Sequence, residues 1–401
     1  MNHLVTPDRL VELIDRSTPD HSLAQAFYCD PAIYQRDLER IFMTSWLYAG
    51  HISEVPSPGS YFLFHVGEES VIVVRGRDGE IRALVNVCRH RGSRVCVEQQ
   101  GTAKRFMCPY HAWTYDLDGR LVAARLMPEG FDKAGHGLSQ LQVRVFEGFI
   151  FVSFAEAPAD FTAMAQDLAP RLKPYGFDQA KVVFRELFKI QANWKLMTEN
   201  YLECYHCSPA HPEFALSHSI KLPKEKIAEL EAAMMARAKA CGLDAPFISL
   251  VGNDDPSGVQ YHYDRYALLD GYVSGSPDGQ PLAPLMGDIT GFDGGATNIQ
   301  IGPVSFFLAY NDHLVVYRFL PRGPQETDAE VFWLVRGDAV EGEDFDREKL
   351  TWLWQVTSEA DKLIVERNQE GVNSRFYRPG PYSPMEDFAV RFLEWYLKVI
   401  S

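Results

Sequence analysis

Four residues of this chain repeat one arrangement. Cys88-Arg-His90 is followed, after 17 residues, by Cys108-Pro-Tyr-His111. Each pair ends a β-prone run and is followed by Gly or Pro, so each fits a tight loop. Two such loops can grip a metal centre between them. Thiolates suit iron–sulfur clusters and zinc, and imidazole suits either. A second constellation follows about a hundred residues later, in Asn193-Trp-Lys-Leu-Met-Thr-Glu-Asn-Tyr-Leu-Glu203-Cys-Tyr-His206-Cys-Ser-Pro-Ala-His211-Pro. Glu203 and His206 are three apart and share a face of an expected helix over Trp194–Tyr205, which Pro209 and Pro212 must end. His211 follows the proline break, so its direction can differ. Two histidines and a carboxylate make the facial triad of non-haem Fe(II) oxygenases, which keeps positions open for O2.

Each constellation has a competing chemistry. Zinc ribbons and fingers take Cys-x-x-Cys pairs, whereas here each loop brings one Cys and one His. That division fits a Rieske [2Fe–2S] centre, with both thiolates on one iron and both imidazoles on the other. Neutral histidine ligands raise such a cluster's potential, which suits a relay to a second redox site. Cys96 falls outside the pattern and reads as a small buried side chain. In the second segment, Cys204 and Cys207 could form a redox dithiol or half a zinc site. No second Cys-x-x-Cys exists and no thioredoxin-like pattern surrounds this one, so the triad is the stronger reading. Its third ligand should be a downstream carboxylate. In the expected helix Leu350–Gln369, Asp361 shares the apolar face with Trp354, Thr357, Ile364 and Val365. A carboxylate there is costly without a partner, and a metal is the best one. The alternative is a buried ion pair with Arg367 or another base.

The elements that must position these residues fall into two groups. The first 40 residues read as helical, with Leu10, Leu13 and Ile14 helically spaced and a second amphipathic stretch over Pro31–Phe42. From Gly59 the period shortens. Tyr61–Val66, Ser70–Arg75, Ile81–Val87, Arg105–Cys108, Thr114–Asp116 and Phe149–Phe154 are β-prone runs, punctuated by Asp78-Gly79 and Asp118-Gly119 turns. Pro158–Tyr175 reads as the connection. Beyond it the pattern predicts a strand over Val182–Ala192, a charged surface helix over Lys221–Ala240 and long loops or a lid over Gly242–Gly295. Three strands follow, Ala296–Ala309, His313–Leu320 and Ala329–Arg336, and then the two helices Leu350–Gln369 and Met385–Ile400. Strands without βαβ alternation predict an α+β chain with an antiparallel catalytic sheet. The expected boundaries are a helical segment over 1–45 packed on the catalytic domain, an all-β domain over 46–155 and a catalytic domain over 156–401.

Composition narrows the partners. Of 401 residues, 46% are hydrophobic and 23% charged, as in ordinary globular proteins, which argues against disorder or repeats. The formal net charge of −15 repels phosphate backbones and argues against nucleic acid. The N-terminus has no apolar core or cleavage signal, and the longest uncharged run, Gly294–Asn311, holds too many polar and turn residues for a membrane span. Seven cysteines are few and odd in number, which argues against a disulfide framework and for a reducing cytoplasm.

The stretches CRHRGSRV and CPYHAWTYDLDG, followed by Glu-Cys-Tyr-His-Cys and His211-Pro-Glu, resemble the Rieske non-haem iron oxygenase large subunits over essentially the whole chain. The family pattern implies cluster ligands at Cys88, His90, Cys108 and His111, iron ligands at His206, His211 and Asp361, and a helix-grip catalytic domain. It implies a homotrimer in which Glu203 bridges one subunit's His206 and the neighbour's cluster histidine, His111. It also implies electrons from NAD(P)H through a separate reductase, since the chain has no Gly-x-Gly-x-x-Gly fingerprint. Most aromatic-ring dioxygenases carry Asp where this chain has Glu203. The flanks look more like the quaternary-ammonium subgroup of glycine betaine monooxygenases, choline monooxygenases and stachydrine demethylases. The implied reaction is hydroxylation or N-demethylation of a betaine-like substrate, with aromatic ring hydroxylation or O-demethylation as the alternative. Two other classes stand against it: an electron carrier with no oxygenase site, which the second motif opposes, and a zinc-stabilised binding module. Aromatic faces would suit such a cation, and Tyr261, Tyr263, Tyr266, Phe306, Phe307 and Tyr310 are candidates for the pocket wall.

Overall fold

The structure, a computed structural model, describes residues 5–218, 222–243 and 251–401. Its N-terminal half is a seven-stranded antiparallel sheet. Across the sheet run Leu47–His51, Phe149–Ser153, Gln140–Phe146, Ile81–Val85, Glu69–Arg75, Ser60–Val66 and Gln100–Thr102. The strand Glu69–Arg75 reads as a continuous apolar run because both of its faces are covered. Val71 and Val73 enter the core shared with the catalytic half, while Ile72 and Val74 enter a separate core under the Cys/His loops. The two Asp-Gly turns form as expected, with Gly79 at φ +88° and Gly119 at φ +85°, a region that favours glycine. A three-stranded sheet of Phe106–Met107, Thr114–Tyr115 and Leu121–Ala123 supports the second loop.

The catalytic half is a second seven-stranded antiparallel sheet, ordered Ala180–Ile190, Glu326–Arg336, Leu314–Gly323, Ser305–Ala309, Gly295–Ile301, Tyr261–Ala267 and Val251–Asn253. The helix Arg347–Val372 starts at Asp346, whose side chain accepts from the Lys349 N–H. The chain ends on the helix Asp387–Ile400. The observed architecture is α+β, as the absence of βαβ alternation predicts.

Several expectations need correction. The expected strand Ala296–Ala309 is a hairpin that folds at Gly302, where φ is +74° and a Cβ would meet the Trp46 carbonyl at 2.6 Å. The expected loop region Gly242–Gly295 contains the strand Tyr261–Ala267, hidden in the sequence because His262, Asp264 and Arg265 mask its alternation; its residues 244–250 lie outside the described residues. The surface helix runs over Lys224–Ala240, and Lys221 lies outside the described residues. The expected connection Pro158–Tyr175 holds the helix Thr162–Leu172. The expected helix Trp194–Tyr205 stops at Tyr201. Glu203 and His206 therefore meet in a turn, not on one helix face. Cys96 is half-buried with a free thiol, not enclosed. Cys204 and Cys207 form a disulfide, which the turn allows by bringing their Cα atoms to 4.8 Å. The bond spans three residues and ties no two elements together.

Two buried ionic groups join the parts. Asp37, from the N-terminal helical segment, accepts hydrogen bonds from Trp194 Nε1 at 3.0 Å, Lys195 Nζ at 2.5 Å and Tyr396 OH at 2.8 Å. Those extra bonds make a buried Lys–Asp pair tolerable. Arg318 pairs with Glu330 inside the catalytic sheet and donates to the carbonyls of Tyr48 and Ala49 in the N-terminal sheet. Glu330 also accepts from Arg185 Nη2 at 2.6 Å. No described helix is long and apolar enough to cross a membrane.

Candidate active site

The first loop closes on itself. The Cys88 N–H donates to the Ser93 carbonyl at 2.8 Å and the Gly92 N–H to the Cys88 carbonyl at 2.9 Å. Buried Asn86 ties down its far end, accepting from the Val95 and Cys96 N–H groups at 2.9 and 2.8 Å. The second loop repeats the device, with Cys108 N–H to the Trp113 carbonyl at 2.8 Å and Ala112 N–H to the Cys108 carbonyl at 3.0 Å. Both thiols lie under the surface, Cys88 and Cys108 being 3% and 2% exposed. The Tyr115 hydroxyl sits 3.3 Å from Cys88 Sγ and accepts the Arg89 N–H at 3.0 Å. The imidazoles point outward. His111 is exposed, and its Nδ1 lies 3.2 Å from His90 Nδ1. That separation is close to the edge of a tetrahedron with metal–nitrogen bonds of about 2.0–2.1 Å, ~3.3 Å. Trp113 stacks beneath His90 at 4.8 Å, and Tyr110 stacks on His111 at 3.9 Å. Two buried thiols and two converging Nδ1 atoms fit a Rieske cluster.

The second centre forms where the chain leaves the helix Trp194–Tyr201. The Glu203 carboxylate caps the following turn through the Tyr205 and His206 N–H groups, and its Oε1 lies 2.5 Å from His206 Nδ1. This bond turns His206 Nε2 the other way, as a carboxylate behind a metal-ligating histidine does. His206 Nε2 and His211 Nε2 lie 3.3 and 2.9 Å from Asp361 Oδ1. The three ligand atoms fall within 4.8 Å of one another, so the residues fit one metal ion. Asp361 pairs with these histidines, and no ion pair to Arg367 forms among the described residues. Burial pushes the Asp361 carboxyl up, but hydrogen bonds from His206 and His211 hold it below its ordinary value. Burial depresses His206, but the bonds to Asp361 and Glu203 outweigh it and raise it to about 9. The triad and the Cys204–Cys207 pair coexist, so the two readings of this segment do not exclude each other.

The three residues open onto a cavity of about 430 Å³ between the helices and the catalytic sheet. Of the six aromatic candidates only Tyr266 lines it; Tyr261, Tyr263 and Phe307 pack in one core, and Phe306 and Tyr310 in another. The other aromatic walls, Tyr201, Phe214, Tyr317, Trp354 and Phe388, were not among the candidates. Trp354 and Thr357 carried a readable signal, being seven and four residues before Asp361 on one helix face. Asn200, whose Nδ2 lies 3.4 Å from His206 Nε2, carried none. Within one chain Glu203 reaches His206 but makes no bond to His111, whose nitrogen partner is His90.

Comparison with known proteins identifies the two domains that carry these residues. Residues 45–146 match the family model of the Rieske [2Fe-2S] domain, and residues 177–401 match that of the ring hydroxylating alpha subunit (catalytic domain). The chain is 39% identical to the glycine betaine monooxygenase oxygenase subunit of Pseudomonas aeruginosa, over 94% of this chain and 89% of that one. The subunit of the same description from Chromohalobacter salexigens is 39% identical over 97% and 88%. The fold matches the crystal structure of the quaternary ammonium Rieske monooxygenase CntA with a TM-score of 0.74 at 23% identity, covering 97% of this chain and 98% of that one. With a cluster domain ahead of a catalytic domain, and with the residues to hold a [2Fe–2S] cluster and a non-haem iron, the chain belongs to the ring-hydroxylating alpha subunits of the Rieske oxygenases.

Proposed function

We propose that this terminal oxygenase hydroxylates a quaternary ammonium, betaine-like substrate and removes one N-methyl group. The observation that carries the reading is the cavity: its described lining includes Tyr, Phe and Trp rings and four carboxylates, and no Lys or Arg. Aromatic faces and carboxylates recognise a cation that cannot donate a hydrogen bond. Likeness to glycine betaine monooxygenase subunits over nearly the whole chain supports the same substrate class.

In this reading Cys88, His90, Cys108 and His111 hold the cluster, and His206, His211 and Asp361 hold the iron. When bound, the cluster supplies single electrons and the iron an O2-binding centre with open positions. The chain does the rest. Glu203 fixes the His206 ring by accepting its Nδ1 proton. The aromatic walls exclude water and hold the cation. Oxidation of one C–H bond consumes O2, two electrons and two protons, and yields water and an N-hydroxymethyl group. That group loses its O–H proton and breaks its N–CH2OH bond, the electron pair staying on nitrogen, to release formaldehyde, a proton and the demethylated amine. Electrons come from NAD(P)H through a separate flavin or ferredoxin-type reductase.

The outward-facing His111 and a Glu203 with no partner on the cluster side support a homotrimer in which Glu203 meets the neighbouring subunit's His111. Tyr110 and Tyr205, beside these two residues, are 55% and 59% exposed, as an uncovered contact surface would be. The domain limits follow the same reading, with 1–45 and 156–401 forming the catalytic body, 46–155 the cluster domain, and the cytoplasm as its setting.

The test is oxygen uptake and formaldehyde recorded together, with NADH, a surrogate reductase and iron-loaded protein. Glycine betaine, carnitine and choline are run beside benzoates and aryl methyl ethers. Formaldehyde formed in step with oxygen from an N-methylated compound is the expected result. Oxygen uptake with aromatic compounds alone would overturn the proposal.

A further inference from the structure

The cavity holds a carboxylate that the metal site does not use. Residues two apart share a strand face, so the strand Tyr261–Ala267 turns both Asp264 and Tyr266 to the cavity. Asn298 is the registered neighbour of Asp264 on the adjacent strand, and its Nδ2 donates to Asp264 Oδ1 at 3.1 Å. Two of the other lining carboxylates are committed, Asp361 to His206 and His211, and Glu203 to His206, and the third, Glu231, stands on the half-exposed surface helix Lys224–Ala240 rather than on the sheet. Asp264 has no such partner, and no ion pair joins it to a cationic side chain among the described residues. His262, on the same strand face, is paired with Asp254 at 3.0 Å. Burial raises the Asp264 carboxyl to about 6, against the hydrogen bond from Asn298.

A desolvated carboxylate hydrogen-bonded to a neutral amide, with its one basic neighbour His262 already paired to Asp254, is costly to keep. Its surroundings are selective in kind. Tyr266, Tyr201, Tyr317 and Trp354 line the same cavity and offer π faces to a cation. Asp264 stands on the sheet wall, whereas His206, His211 and Asp361 come from the helical side of the same cavity.

We propose that Asp264 is the counter-ion for the substrate's ammonium group, with Asn298 orienting its carboxylate and Tyr266 covering one face of the cation. This rests on the quaternary-ammonium reading above and assigns the residue that enforces it. A neutral ring or ether gains nothing from Asp264 and leaves its charge buried and unpaired, so the same residue selects against aromatic compounds.

The experiment compares the wild-type holoenzyme with Asp264→Asn and Asp264→Glu. The probes are glycine betaine and choline as substrates and, as a competing ligand, the all-carbon isostere of choline with a quaternary carbon in place of nitrogen. Asp264→Asn is expected to raise KM for both cations by about tenfold or more. The value of kcat should stay within about threefold, because binding of the cation and not the reacting bond is weakened. The inhibition constant of the isostere should be unchanged or lower. The melting temperature should be equal or higher, since a desolvated charge is removed. Asp264→Glu, which keeps the charge, should recover part of the loss. Wild-type KM values in Asp264→Asn would overturn the proposal, and so would equal weakening of cation and isostere, which marks a merely structural role. A wild-type enzyme that consumes oxygen with aromatics and with none of the ammonium probes would overturn both this proposal and the substrate reading, and that outcome is visible without any variant.

Discussion

The two Cys/His loops and the His/Asp cavity bring metal-ligating side chains together in opposite ways. The loops are local: all four cluster residues come from one stretch, 88–111, and each loop is closed by its own backbone bonds. Thiols are buried and an imidazole faces out, so the loops present this group at the surface. The iron site is assembled from afar, since His211 and Asp361 are 150 residues apart. Its ligands face inward to a cavity, so it is shaped to enclose a substrate. One site is set by turn geometry and the other by how helices pack on a sheet.

That contrast can be broken at one end at a time. The largest effect should come from Asp361→Ala set beside Cys108→Ser. Removing Asp361 should abolish turnover and lower iron content from about three per chain to about two, with the red-brown cluster spectrum intact. Removing Cys108 should abolish turnover and bleach that spectrum. If either variant lost both metals, the two sites would not be independent.

The second effect is on stability, at the contact between the two halves. Burial pushes the Glu330 carboxyl up, but Arg318 and Arg185 outweigh it and hold it at about 2 against an ordinary 4.5. A depressed carboxyl contributes stability that is present above its unfolded value and is lost as pH falls toward its folded one. Glu330 should therefore contribute about 3 kcal/mol near neutrality, disappearing between about pH 4.5 and pH 2. Urea unfolding at pH 6 and pH 3 measures it. Glu330→Gln should be weaker at pH 6 and should lose less than the wild type on acidification.

The smallest effect should come from Tyr115→Phe, which removes the hydroxyl 3.3 Å from Cys88 Sγ. Fewer hydrogen bonds to sulfur lower a cluster's potential, here by something on the order of tens of millivolts. Redox titration of the cluster reads the shift, and metal content should stay the same. An unchanged potential would show that the hydroxyl serves only the Arg89 N–H.

The same contrast decided what the sequence could reveal. The cluster residues were readable from spacing because their loops are self-contained. The pair His206 and His211 was readable for the same reason. Asp361 needed a physical argument, the cost of an acid on an apolar helix face, and its neighbours Trp354 and Thr357 came with it. The sheet wall stayed hidden. Asp264 and Asn298 are neighbours only through strand register, 34 residues apart in the chain, and register leaves no mark on a single strand. The strand Tyr261–Ala267 escaped notice because His262, Asp264 and Arg265 put polar residues on both of its faces and break the expected alternation. The helix end at Tyr201 was missed because Glu203 caps a turn where helical spacing alone suggested a continuous face.

The division of the cavity between a helical wall and a sheet wall also bears on how such an enzyme can change. At the cavity, the residues that could hold a metal ion, His206, His211 and Asp361, come from the turn after Tyr201 and the helix Arg347–Val372. Asp264, Tyr266, Asn298 and Leu308 project from three consecutive strands held in register with one another. A side chain on that sheet can be exchanged without moving a ligand to the iron. Descendants of one ancestor can thus diverge in diet through a handful of strand positions while inheriting the oxidation chemistry intact.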